Sequence, residues 1–228
     1  MRDIIVSIAL KLGLYHLLVD IATAYNQRKL AKAFHRYGLE TIIQADEALR
    51  SVGVNMFFAF GTLLGSHREK DFIAHDCDLD VGLLYEDRPE NIDEVMARFG
   101  FKKKRQFYVK QTGLITEEQY EYKGVQIDIF YYFVAEDDKM FCYGARRHEH
   151  KEWKEANASD GFPSVLWYCP KTDFVEREFK GHLFWSPRNI EGWLTSLYGQ
   201  NYMTPIRNWT DQDSKTDIVY HTERLYRR

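Results

Sequence analysis

Apolar and polar positions follow two periods along this chain, and each change of period marks an element. Residues 27–52 (QRKLAKAFHRYGLETIIQADEALRSV) place Leu30, Ala33, Phe34, Tyr37, Leu39, Ile42, Ile43, Ala48 and Leu49 at helical spacing. That predicts helix, with Gly38 expected to break it in two. Met56 to Phe60 is an unbroken apolar run, which predicts a buried strand ending in a glycine-containing turn. DCDLDVGLLY (76–85) alternates with period two and predicts a second strand. NIDEVMARFG (91–100) predicts a short helix with Asn91 as N-cap and Gly100 just past its end. GVQIDIFYYFVA (124–135) predicts a further strand, and Asp137-Asp138 and Pro163 are expected in loops. SPRNIEGWLTSLYG (186–199) predicts a helix with Ser186 as N-cap, Pro187 at the first helical position and Gly199 as its stop.

No repeat, low-complexity run or Pro/Gly/Ser-rich linker divides the chain, so one domain with helices at both ends is expected. The apolar N-terminal stretch, residues 3–24, is interrupted by Lys11, His16 and Asp20, which makes it a poor membrane span. Two readings stand: a helix packed into the fold or against a second subunit, or one lying on a membrane surface. The expected division is an N-terminal apolar helix region, 1–35, and a main domain, 36–228, with a helical C-terminal part. The chain's 228 residues are 45% hydrophobic and 29% charged, which is ordinary globular usage. A net charge of −3 argues against a nucleic-acid binder. Cys77, Cys142 and Cys169 are too few and too scattered for a disulfide framework and point to a reducing, cytoplasmic setting, with peripheral membrane attachment under the second reading.

The chemistry concentrates in FIAHDCDLDVG. Asp76, Asp78 and Asp80 fall on one face of an extended strand, and Cys77, Leu79 and Val81 on the other. Like charges at that spacing ask for a cation among them, unless the face is simply solvated. Asp128 emerges alone from the apolar strand VQIDIFYYF, where an acid is costly without a partner. Acids from two neighbouring strands can hold Mg²⁺ in oxygen-rich sites. An EF-hand is excluded, since Val81 and Asp87 stand where its glycine and glutamate belong. A dehalogenase-type phosphatase would leave the upstream glycines unexplained.

Those glycines lie in FAFGTLLGSHREKDFIAHD. Gly61 and Gly65 allow close backbone approach, Thr62 offers a hydroxyl and Arg68 a bidentate fork. In this order, ahead of the acids, they resemble the nucleotidyltransferase superfamily with a DNA polymerase β-type core. More closely, Gly61 to Gly65, Arg68, Ile73, Asp76 to Gly82, Ile127 to Phe130, and Tyr198, Gly199, Tyr202, Met203 and Pro205 resemble the LicD/fukutin family of phospho-alcohol transferases. Cys77 departs from the Asp often found there. The resemblance spans roughly residues 40–206 and implies an α+β fold, a mixed β-sheet with flanking helices, extended by N-terminal and C-terminal helices. It implies transfer of phosphocholine, ribitol phosphate or glycerol phosphate from a CDP-alcohol donor to a glycan or lipid-linked glycan, with release of CMP. Mg²⁺ or Mn²⁺ would be held by Asp78, Asp80 and Asp128, with Asp128 alternatively the base. Gly61, Thr62, Gly65, Arg68 and Asp76 would serve the donor side. The alternatives are a nucleotidyltransferase using a nucleoside triphosphate and a catalytically silent scaffold.

Elsewhere, FKKKRQFYVK (101–110) reads as a solvated, charged turn. A zinc site from His148, His150, Cys142 and Cys169 is disfavoured by irregular spacing. His67 and His75 flank the acids and read as structural or donor-contacting before general bases. The five tryptophans read mostly as packing, with one or two available to stack on a sugar or a cation.

Overall fold

The computed structural model describes residues 15–146, 151, 153–206 and 218–228. Residues 1–14, most of the apolar N-terminal segment, lie outside the described residues, as do His148, His150 and Trp209. From Tyr15 the chain is one helix, α1 (Tyr15–Arg50), unbroken at Gly38. A glycine inside a helix costs only about 1 kcal/mol, too little to break a helix packed this extensively; a Cβ there would make ordinary contact with the Phe72 ring at 3.6 Å. The 35/36 boundary therefore falls within a continuous helix.

The expected strand at Met56–Phe60 shrinks to β1 (Phe57–Phe58), because Phe60 already begins α2 (Phe60–Arg68). Gly61 and Gly65 thus sit on a helix rather than in a turn. The second strand, β2 (Asp78–Leu84), starts two residues later than the alternation suggested. A 3₁₀ turn (Tyr85–Asp87) leads to α3 (Ile92–Arg98), then β3 (Lys102–Val109), β4 (Ile115–Tyr122), β5 (Val125–Val134) and β6 (Lys139–Ala145). After α4 (Trp153–Ala158) come β7 (Phe162–Pro170), β8 (Phe174–Phe179), β9 (His182–Pro187), α5 (Ile190–Tyr198) and β10 (Ile218–Arg227).

Several local expectations give way to tertiary context. Residues 102–109 form strand β3, not a turn. Pro163 lies inside β7, opposite Arg224 and beside a bulge in β10, where a missing N–H is tolerated. Ser186 and Pro187 belong to β9, and Asn189 caps α5 instead, accepting the Gly192 N–H at 3.0 Å. The last described element is a strand rather than a helix.

The ten strands of the described residues form one mixed sheet. β2 runs parallel to β5, and β1 parallel to β9. β5 also pairs antiparallel with β4 through Val125–Phe130 and with β6 through Tyr132–Val134. From β4 the pairing continues through β3, β10 and β7 to β6, so the sheet curls round and returns to β5. That curl encloses a small second core of Phe107, Val109, Tyr143, Ala156, Phe162, Leu166 and Leu225. The main core has two sides. Leu79, Val81, Ile127 and Ile129 pack with α1 and α3 on one face; Phe57, Tyr132 and Trp193 pack on the other, with the Tyr132 and Trp193 rings 5.2 Å apart. Buried apolar area of this kind is the main driving force for the fold.

Candidate active site

Residues paired across a sheet share a face, and the register of this one aligns a polar row. Asp80 of β2 is opposite Asp128 of β5, Asp128 is opposite Gln119 of β4, and Gln119 is opposite Arg105 of β3. The face carrying this row is the one over which α2 and α5 lie.

Three hydrogen bonds join the start of α2 to Asp80. The Ala59 N–H donates to the Asp80 carbonyl (3.2 Å), the Asp80 N–H to Thr62 Oγ1 (2.9 Å), and the Gly61 N–H to Asp80 Oδ2 (3.0 Å). Asp76 precedes β2 in a turn, its N–H donating to the Ile73 carbonyl (3.0 Å). A Cβ on Gly61 would sit 2.9 Å from Asp76 Oδ2 and 3.1 Å from Asp80 Oδ2. Gly61 is thus the place where the backbone, Asp76 and Asp80 converge.

These groups open onto a cavity of about 690 Å³ lined by Gly61, Asp76, Asp78 and Asp80, with Arg68, His75, Phe60, Trp167, Tyr198 and Tyr202 among its other walls. Phe60 takes the left-handed backbone region (φ 39°), which is unfavourable for a bulky residue. Its ring stands edge-on to Trp167 (4.8 Å) and Phe130 (4.7 Å). Arg68 is 9% exposed; Nη1 donates to the Tyr202 carbonyl (3.1 Å) and Nη2 to Glu69 (2.7 Å). Its Nε is buried with no partner among the described residues.

The acids strain one another. Burial, then Asp78, pushes Asp76 up to about 6. Burial raises Asp78, with Arg105 opposing, and raises Asp80 far more, helped by Asp78, Asp128 and Asp76. Asp128 is raised by burial and by Glu117. An all-oxygen set of buried, mutually repelling carboxylates suits a hard divalent cation. As the side chains stand, no three His, Cys, Asp or Glu among the described residues converge closely enough to enclose an ion. Asp80 Oδ2 accepts from the Gly61 N–H, and Asp128 is held by Arg105 Nη2 on Oδ1 (3.4 Å) and Gln119 Nε2 on Oδ2 (3.1 Å).

The predicted residues separate accordingly. Gly61, Arg68, Asp76, Asp78 and Asp80 reach the cavity; Asp128 adjoins it through Asp80. Thr62 is buried with its hydroxyl on the Asp80 N–H, and Gly65 faces the Asp71–Ile73 backbone, where a Cβ would meet the Asp71 carbonyl at 2.7 Å. Neither lines the cavity. His75 does, whereas His67 lines a smaller cavity of about 420 Å³ with Lys70 and Arg177. Cys77 leaves on the far side, its Sγ 3.7 Å from Gln27 of α1. Trp167 is the tryptophan on the cavity wall; Trp193 is fully buried in the core.

Sequence reasoning missed Arg105 and Glu117. Arg105 Nη2 lies 3.0 Å from Glu117 Oε1 as well as 3.4 Å from Asp128. The next residue, Glu118, points to the opposite face and is equally buried, bonded by Arg88 (3.2 Å), Lys103 (2.5 Å) and the Tyr131 hydroxyl. Alternation within β4 shows that two consecutive glutamates must diverge, but not that both would be buried.

Comparison with known proteins decides the family. Residues 53–189, more than half of the chain, match the family model for the LicD/FKTN/FKRP nucleotidyltransferase domain. The chain belongs to the LicD/FKTN/FKRP family. The matched span of this LicD-family chain runs from just before β1 to the cap of α5 and contains the candidate residues from Gly61 to Asp128, while Tyr198 and Tyr202 of the cavity wall lie beyond it. Among curated proteins, ribitol-5-phosphate transferase FKTN of Homo sapiens is 26% identical over 191 residues, as is that of Macaca fascicularis; each match covers 82% of this chain and 38% of the relative. An uncharacterised Caenorhabditis elegans protein is 28% identical over 166 residues, 68% of this chain and 41% of that protein. The chain therefore spans about two-fifths of the length of the curated relatives it matches.

Proposed function

We propose that this chain transfers a phospho-alcohol, ribitol phosphate first among the candidates, from a CDP-activated donor to a hydroxyl of a glycan or lipid-linked glycan. The observation that carries the reading is that Asp76, Asp78 and Asp80 line one cavity together with Arg68. Similarity to proteins named ribitol-5-phosphate transferase supports the choice of alcohol.

In this reaction the acceptor oxygen forms a bond to the phosphorus bearing the alcohol. The bond from that phosphorus to the bridging oxygen breaks, its electron pair leaves with CMP, and a carboxylate of the cluster takes the hydroxyl proton. Asp78 and Asp80, with Asp76 beside them and Asp128 on the neighbouring strand, would hold Mg²⁺ or Mn²⁺. That ion would neutralise charge on the donor phosphates. Arg68 would hold a phosphate oxygen, and Trp167, Phe60 and Tyr198 offer faces for a base or sugar. Most of the rate enhancement would come from positioning and charge compensation.

A second reading, nucleotidyl transfer from a nucleoside triphosphate, is favoured by one finding: the matched family model is that of a nucleotidyltransferase domain. The two separate in one assay. Purified protein is offered CDP-ribitol, CDP-glycerol, CDP-choline, CDP-ethanolamine and, separately, nucleoside triphosphates with Mg²⁺, and release of CMP or pyrophosphate is followed against an Asp78→Asn control. CMP release from one donor, lost in the variant, supports phospho-alcohol transfer. Pyrophosphate release from a triphosphate instead supports the second reading; silence with both supports a scaffold. No described helix is long and apolar enough to cross a membrane. Surface attachment through residues 3–24 is tested by liposome flotation, where failure to float removes it.

A further inference from the structure

Asp128 differs from the other carboxylates of the site. Asp76, Asp78 and Asp80 border the cavity, whereas both oxygens of Asp128 are engaged by side chains, Arg105 on one and Gln119 on the other. The two bonds are unequal. Gln119 sits squarely at 3.1 Å, but Arg105 reaches Asp128 only at 3.4 Å, while the same Nη2 lies 3.0 Å from Glu117. Glu117 is 5% exposed, and Arg105 is the cation bonded to it. One guanidinium nitrogen is therefore shared between two buried carboxylates, and the second, Glu117, lies away from the cavity lining.

We propose that Arg105 is a positioning residue: a movable counter-charge that neutralises Asp128 when no cation is bound and withdraws onto Glu117 when one is. The inference rests on the reading above, in which the carboxylates take a divalent cation. A buried carboxylate without a compensating charge is costly, so with Asp128 ionised an empty site needs an internal cation. A loaded site needs that cation moved aside, and the buried Glu117, on the strand between β3 and β5, is a fitted place for it. The arrangement makes Arg105 a competitor of the metal and Glu117 the competitor of Asp128 for Arg105.

Two substitutions then act in opposite directions. Arg105→Met removes the competitor and is expected to tighten Mn²⁺ binding, on the order of tenfold for the loss of one nearby charge at a partly buried site. Glu117→Gln leaves Arg105 with Asp128 alone and is expected to weaken Mn²⁺ binding by a similar factor. Mn²⁺ affinity is read by electron paramagnetic resonance of the free ion, at pH 8.5 and without substrate, on the full chain. Melting of the metal-free protein is followed in parallel and should fall for Arg105→Met. A merely structural ion pair predicts that both variants weaken binding, or that neither changes it. Either result overturns the proposal while leaving the site's assignment intact. Wild-type protein that binds no Mn²⁺, or binds it undiminished in Asp80→Asn, overturns the assignment and this inference with it. Should Arg105→Met fail to fold, Glu117→Gln alone decides: unchanged or tighter binding refutes the exchange.

Discussion

Gly61 has no side chain because two carboxylates stand where one would go. With Asp76 Oδ2 at 2.9 Å and Asp80 Oδ2 at 3.1 Å from a Cβ, Gly61→Ala must push the acids apart. Turnover is expected to fall about tenfold or more, with a stability loss of only about 1 kcal/mol; comparing CMP release with thermal melting separates the two. Asp80→Asn tests the repulsion itself. Asparagine keeps an acceptor for the Gly61 N–H but removes a charge disfavoured by burial and by Asp78, Asp128 and Asp76. The metal-free variant should therefore gain on the order of 1 kcal/mol in a urea or thermal melt while losing turnover. A lower melting point would show that the charge is already compensated. At this scale the three aspartates were legible, because period two and the glycines ahead of them are local signals. Arg105 was not, since nothing within KKKRQ says which of four consecutive cations turns inward.

At the scale of elements, what could be read was an element's existence more than its ends. β2, β5, α3 and the stop of α5 at Gly199 followed from residue periodicity and glycine, although Asn91 precedes α3 without a side-chain capping bond. Proline was the poorest guide. Pro163 and Pro187 signal a loop and a helix start to any local rule, yet both end up in strands at positions where pairing does not need their N–H. The row Asp80–Asp128–Gln119–Arg105 depends on register across four strands, one of whose pairings is interrupted by bulges near Arg105 and Phe107. No single segment holds that information. β2 also makes a sharp demand on its neighbour: a Cβ on Gly82 would lie 2.1 Å from the Phe57 ring and 2.8 Å from Tyr132. Gly82→Ala should cost about 2–3 kcal/mol by overpacking, read as a lower denaturation midpoint with an unchanged slope.

For the whole molecule, the curled sheet links the C-terminus to the candidate site. β10 fills the gap between β3 and β7, and Leu225 is fully buried in the second core beside Phe107 and Val109. Leu225→Ala should lower stability by about 2–4 kcal/mol. Because β3 carries Arg105, Mn²⁺ affinity should shift in the same variant; an unaltered affinity would mean that the second core and the carboxylates are mechanically independent. This closure was invisible in the sequence, where residues 218–228 offer little apolar periodicity and the strands that β10 pairs with lie about fifty or more residues away.

The double membership of β5 has a consequence for cooperativity. One edge is shared between β4 and β6, the other is taken by β2, and Asp128 sits in the middle. Neither the main core nor the curl can open by itself without tearing this strand from a neighbour. Its amide protons should therefore exchange with solvent only through global unfolding, while those of the edge strand β8, paired to β9 alone, exchange through cheaper partial openings. A heat-softened molecule would lose its rim first and keep its carboxylates in register until the whole chain lets go.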